Sequence, residues 1–220
     1  LSPVGKALGI LLALWSAVPA LSRECGNDIP VLLDRIEEVK SGTDSAGLVQ
    51  LLRCLSEPVV RWVSDADLFF SEDALDEIEA ATDKDRLRVY KILIPLISSD
   101  DWLVSQEAAA SLAYYGYAPA GQMLDGYPNG PMKAVLYAVV DYKESYRWAI
   151  DQLIKSDRLS QPEDEANDNA AVYLGLLYRL AEPLSLPFLN GLISSDVDPE
   201  LQARAELVRE RIFRLHPGLK

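Results

Sequence analysis

The sequence predicts an all-α protein, an α-solenoid-like stack of antiparallel helical hairpins, and three observations predict it. The phrase Leu96-Ile97-Ser98-Ser99-Asp100 returns unchanged at Leu192 to Asp196, and nearly so as Leu153-Ile154-Lys155-Ser156-Asp157. Each copy closes an apolar stretch and precedes another amphipathic one, as a stack of paired helices requires. Apolar residues recur at helical spacing along most of the chain, and strand-like alternation is nearly absent. The 220 residues suffice for one domain with a real core.

Residues 1–20 read as a secretory signal. Lys6 precedes an apolar run from Ala7 to Trp15, and Ser16-Ala17-Val18-Pro19-Ala20 supplies a small-residue cleavage site. A membrane anchor is the other reading, but about 12 apolar residues fall short of the roughly 20 that span a bilayer. Residues 21–220 then form a single helical-repeat domain.

After Pro30, Leu32, Leu33, Ile36 and Val39 keep a helical period until Ser41-Gly42 stops it. Ala46 to Leu55 makes a second short helix. Pro58 starts the next, since a proline in the first turn costs no hydrogen bond. Ser71-Glu72-Asp73 caps a helix through Ala81, and a longer one runs from Thr82, with Pro95 bending it near its end. Asp100-Asp101 caps Trp102 to Tyr115. Residues 117–131 are a turn-rich insertion, broken only by Gln122-Met123-Leu124. Helices resume over Met132 to Val140, Lys143 to Ser156, Ala170 to Ala181, Leu184 to Ile193 and Pro199 to Leu215.

The repeated phrase has measurable spacing. Asp100 to Asp157 is 57 residues and Asp157 to Asp196 is 39, with a weaker echo at Trp62-Val63-Ser64-Asp65, 35 residues before Asp100. The 39-residue step suits a helical hairpin, and the longer one exceeds it by about the size of the insertion. An Asp or Ser after each phrase can accept the free N–H groups of the next helix, so the phrase means helix end, tight turn, helix start.

Val104-Ser105-Gln106-Glu107-Ala108-Ala109-Ala110-Ser111-Leu112-Ala113, ending at Gly116, resembles the second helix of a HEAT-like repeat, where alanines permit close stacking. Pro199 to Val208 is a similar, less faithful copy. The resemblance covers Lys84 to Gly116 and Leu184 to Leu215 well and the rest loosely. It implies a scaffold for protein contacts and transfers no catalytic residue. Residues 21–82 depart most from the pattern and read as a cap.

The net charge is −13, from 34 acidic and 21 basic residues, and losing Lys6 with the leader makes it more negative. Such a chain repels phosphate backbones and anionic lipid, so neither nucleic acid nor a membrane surface is an expected partner. A basic protein partner fits, as does plain solubility. Cys25 and Cys54 are the two cysteines, and an even pair in an exported chain reads as one disulfide, with two core thiols as the alternative.

Chemistry has few materials. His216 stands alone near the end, and no metal-ligand set, nucleophile triad or glycine-rich phosphate loop is present, so no catalytic residue, metal or cofactor is assigned. Glu144-Ser145 resembles the catalytic pair of lytic transglycosylases without the rest of their pattern. It keeps open a cell-wall glycan-binding or glycan-cleaving alternative, testable with Glu144→Gln and Asp168→Asn. The acidic run Glu163, Asp164, Glu165 and Asp168 lacks EF-hand spacing and suits a helix start.

Tyrosine is the better clue. Seven of ten lie between 114 and 146. Tyrosine brings a large face and a hydroxyl at low entropy cost, which suits contact surfaces. Tyr115, Tyr117, Tyr127, Tyr142 and Tyr146, with Asp125 and Asp141, form the expected partner-binding set. Tyr117 and Tyr127, lying in turns, are the expected surface pair. Tyr114, Tyr137 and Trp148 occupy apolar helical positions that also suit a core. A non-enzymatic, periplasmic or secreted module that binds a protein is the expected function, an inhibitor or immunity protein of a basic partner being one version.

Overall fold

Asp28, Asp44, Asp101 and Asp198 each open a helix, using a short carboxylate to accept backbone N–H groups that have no partner in a first turn. The structure is a computed structural model that describes residues 25, 28–40, 42, 44–56, 65–71, 73–155 and 169–219. The leader, the Trp62 echo apart from Asp65, the Pro58 start, Ser156-Asp157 and the 163–168 acidic run lie outside the described residues.

The described residues form α1 (Ile29–Val39), α2 (Ser45–Ser56), α3 (Ala74–Asp83), α4 (Arg86–Leu93), α5 (Trp102–Tyr114), α6 (Ala120–Met123), α7 (Pro131–Val139), α8 (Ser145–Lys155), α9 (Asn169–Leu180), α10 (Leu186–Ser194) and α11 (Pro199–Leu215). Short 3₁₀ turns cover Ala66–Phe70, Ile94–Ser98, Leu124–Gly126, Pro183–Ser185 and Pro217–Leu219. No strand occurs among the described residues, and none of their helices is long and apolar enough to cross a membrane.

Both fully described copies of the repeated phrase do what a helix punctuation mark should. After Leu96 to Asp100, Asp101 accepts from the N–H groups of Leu103 and Val104 at 2.9 and 3.4 Å and starts α5. After Leu192 to Asp196, Asp198 accepts from Glu200 N–H at 2.8 Å, with Pro199 opening α11. The expected long helix from Thr82 instead breaks after Asp83. Pro95 then sits in the first turn of a 3₁₀ segment rather than bending an α-helix, because it has no N–H to continue one. Between Asp100 and Asp157 lie four helices, α5 to α8, and the turn-rich 117–131 segment holds α6 and a 3₁₀ turn packed on α5.

Packing is ordered. α1 packs on α2, α4 on α5, α8 on α9 and α10 on α11, while α2, α5, α7, α9 and α11 pack successively on one another. α5 is lined with Ala108, Ala109, Ala110 and Ala113, each no more than 1% exposed, so neighbouring backbones approach closely. α9 is buried from Ala170 to Leu180, being covered by α7, α8, α11 and the 66–70 turn. That turn seats Phe69 on Gly175, where an added Cβ would lie 2.5 Å from Phe69 Cβ. Arg179 donates to the Leu68 carbonyl at 3.0 Å and to that of Ser71. Cys25 and Cys54 lie at disulfide distance, their Cα atoms 5.4 Å apart, which ties residue 25 to α2.

Candidate functional site

Three helices of the inner row end in one recurring corner. α5 ends with Gly116 at φ 76°, α7 with Asp141 at φ 49° and α9 with Ala181 at φ 49°. A left-handed residue just past a helix end turns the chain so that the last carbonyls are satisfied. Tyr117 N–H donates to Leu112 O at 2.9 Å and Gly116 N–H to Ala113 O at 2.8 Å. Tyr142 N–H donates to Tyr137 O at 3.1 Å and Asp141 N–H to Ala138 O at 3.3 Å, which is the same pair of bonds. At the third corner Ala181 N–H donates to Leu177 O at 2.9 Å.

The next step also recurs. The carbonyl after each left-handed residue accepts an N–H three residues on: Tyr117 O from Ala120 at 2.8 Å, Tyr142 O from Ser145 at 3.0 Å, Glu182 O from Ser185 at 3.0 Å. Ser145 and Ser185 add hydroxyl bonds of 2.6 and 2.7 Å to the same carbonyls. Ala120, Ser145 and Ser185 are all buried, at 0, 2 and 0% exposure, because the chain enters its next helix against the inner row.

The corners touch one another in order. Tyr142 of the second lies over Gly121, just past the first, so closely that a Cβ there would sit 2.8 Å from the ring. Lys143 of the second donates to the carbonyl of Leu180, at the third, at 2.8 Å, and pairs with Asp141 at 2.7 Å. Together they make one continuous edge. It presents half-buried Tyr117, Tyr142 and Tyr146, exposed Asp141 and Glu144, and Leu184, which is 65% exposed. The Tyr117 ring rests 5.0 Å from Tyr90, and the Tyr146 hydroxyl accepts from Arg147 Nε at 2.9 Å. Burial raises the Tyr142 hydroxyl above its usual range, with Asp125 and Glu144 adding to the shift.

Two expected surface residues lie elsewhere. Tyr127, although in a turn, is 7% exposed, because the turn folds back on α5 beside Glu107 and Arg53. Tyr115 is 2% exposed and contributes its carbonyl, which accepts the Tyr90 hydroxyl at 2.8 Å. Asp125 is exposed, and its carboxylate accepts the Tyr137 hydroxyl at 3.1 Å. Tyr114 and Tyr137 are core, at 5 and 1% exposure.

Beneath the edge, two inner helices carry buried charges that the sequence did not advertise. On α5, Glu107 accepts from Arg53 Nε of α2 at 2.7 Å. Burial pushes its carboxyl above the usual range while Arg53 opposes the shift. On α7, Lys133 is 2% exposed and donates to the carbonyls of Asp125 and Tyr127 at 3.1 and 3.2 Å. Its ammonium lies 5.6 Å from the Tyr137 ring centre and 5.5 Å from that of Trp148. Burial lowers the Lys133 amine below its usual value, with Asp125 pulling it back up. Lys133 stands four residues before Tyr137, in register with a buried face, and that was the available signal. Leu184 had none, because exposure of a leucine beside prolines is not written in its spacing.

No group of three or more metal-ligating side chains occurs among the described residues. A cleft of ≈ 270 Å³ is lined by Arg35, Glu38, Asp44, Gln50 and Cys54 among others, all on α1, α2 or the turn between them, and it contains none of the edge residues. Compared with protein-family models, curated proteins and solved structures, the chain matches none.

Proposed function

We propose that this chain is an exported, non-enzymatic, HEAT-like α-solenoid whose row of corners binds a protein partner. The observation that carries the reading is the continuous edge at Gly116, Asp141 and Ala181, since a repeated backbone corner lines up exposed side chains as a surface rather than as a pocket. The successive packing of α2, α5, α7, α9 and α11 supports a solenoid. An edge with a protruding apolar residue and half-buried tyrosines, rimmed by carboxylates, suits a partner with basic side chains around an apolar contact. The acidic balance of the whole chain would steer such a partner from a distance. Export rests on the 1–20 leader and on the Cys25–Cys54 pair.

The test uses the chain from Leu21, oxidised and immobilised in envelope extract at low and moderate salt, against a Glu144→Lys/Leu184→Asp variant. Both substituted residues are exposed, so the fold is spared. One stoichiometric basic protein, weakened by salt and lost with the variant, is the expected result. Equal retention by the variant sinks the edge as the contact surface. A clean bait that instead retains cell-wall glycan, lost with Glu144→Gln, moves the reading to the glycan alternative.

A further inference from the structure

We propose that Lys133 is the positioning residue of the contact edge: its buried ammonium holds residues 124–130 against α7 and α8, and so fixes the Asp125 carboxylate on the hydroxyl of Tyr137, whose ring packs on Tyr142. α6 is the reason such a device is needed. It spans 4 residues, whereas α4 and α8 span 8 and 11, so the chain leaving it has little helix to anchor it. A one-turn helix has no stability of its own in water. The following turn must be held from outside.

Three side chains hold it. Lys133 reaches the carbonyls of Asp125 and Tyr127, the Tyr137 hydroxyl reaches the Asp125 carboxylate, and the Trp148 indole donates to Asn129 Oδ1 at 2.9 Å. An ammonium has three protons, and at Lys133 two go to carbonyls while the charge faces the rings of Tyr137 and Trp148. Asp125 raises the Lys133 amine against the lowering by burial. Those rings are themselves immobilised. Tyr137 packs 5.4 Å from Tyr142 as well as from Trp148, and Trp148 packs 5.5 Å from Tyr173 of α9. The same chain of contacts that seats the ammonium therefore reaches Tyr142 on the edge. The link from Asp125 to a partner rests on the binding reading above; the hold on 124–130 does not.

Lys133→Met separates charge from packing, because methionine fills the stem and brings no proton to the two carbonyls. Hydrogen exchange by mass spectrometry on the oxidised chain reads the result, with peptides from 124–130 compared with those from α5 and α9. Lys133→Met is expected to raise exchange at 124–130 by about tenfold or more, as loss of hydrogen bonds from a charged donor implies, with α5 and α9 unchanged. Lys133→Arg, which restores a cation and its donors, is expected to recover most of the protection. Wild-type protection in Lys133→Met overturns the proposal, as does equal loosening of all three regions, which would mark mere packing. Should Lys133→Met not fold, Tyr137→Phe keeps both rings and the ammonium and removes the Asp125 carboxylate bond: protection at 124–130 that stays near wild type supports Lys133 as the holder, and selective loosening by about tenfold or more gives that role to Tyr137 and overturns the proposal. If the segment loosens while salt-sensitive partner retention stays as in wild type, the positioning role stands and the contact reading fails at Asp125.

Discussion

The corner after α5 and the corner after α7 share a backbone and differ in what supports it. Gly116 takes the left-handed conformation without a Cβ, while Asp141 takes it with one and pairs its carboxylate with Lys143. Below the first corner, α5 buries an anion and satisfies it with a cation, Arg53 to Glu107. Below the second, α7 buries a cation and satisfies it with carbonyls and ring faces. The first corner is free of steric strain, because glycine takes a positive φ without a Cβ to clash. The second carries strain and exposed charge where the tyrosines gather, and residues that depart from a local rule tend to mark function.

Removing the ion partner should break the first side of this comparison most. Arg53→Ala leaves the Glu107 carboxylate buried without its counter-ion, and denaturant unfolding should report a loss of about 3 kcal/mol, the usual scale for half of a buried pair. A loss below about 1 kcal/mol would mean that the carboxylate simply takes up a proton or finds water. The corners themselves should respond less and in opposite directions. Gly116→Ala meets no atom closer than the Tyr90 hydroxyl at 4.0 Å, so its expected cost of about 1 kcal/mol is purely backbone. Asp141→Gly relieves the same conformation and should cost little or stabilise slightly, and a melting temperature that falls as far as in Gly116→Ala would show that the Asp141 pairing with Lys143 supports its corner more than the backbone strains it.

The smallest expected effect is a pH slope. The folded protein holds the Glu107 proton more readily than the unfolded chain, since its pKa is raised from 4.5. Its contribution is therefore fully present below about 4.5 and is lost as pH rises through the raised value. Relative to Glu107→Gln, the wild type should lose stability between those limits, measured by denaturant midpoints at pH 4 and pH 7. A difference that does not change with pH would remove the carboxylate's protonation from the account.

Much of the helix punctuation was legible because it is local. Asp101 and Asp198 follow their phrases within a few residues, and each carboxylate accepts from the first turn of the helix it precedes. The corners were not legible, because Gly116, Asp141 and Ala181 share a dihedral angle and no side chain. What repeats is hydrogen bonding, spaced by 25 and then 40 residues, which no letter pattern records. Tyr127 misled for a related reason. Its turn residues announced a loop, but the direction in which a loop folds depends on the partner it meets, here α5. The register of Lys133 with Tyr137 marks it as inward-facing, but the carbonyls that satisfy its charge come from a separate turn and are located only in space.

The seat of Phe69 sets an order of events during folding. Gly175 follows it by more than 100 residues, so seating the 66–71 turn on α9 closes a long stretch of chain. Closing so long a stretch of loose chain in one step is slow, whereas closing it after the intervening helices have stacked spans a short gap. The Arg179 bonds to Leu68 and Ser71 are therefore among the late contacts to form, and they act as a clasp fastened only once the row of helices beneath it is complete.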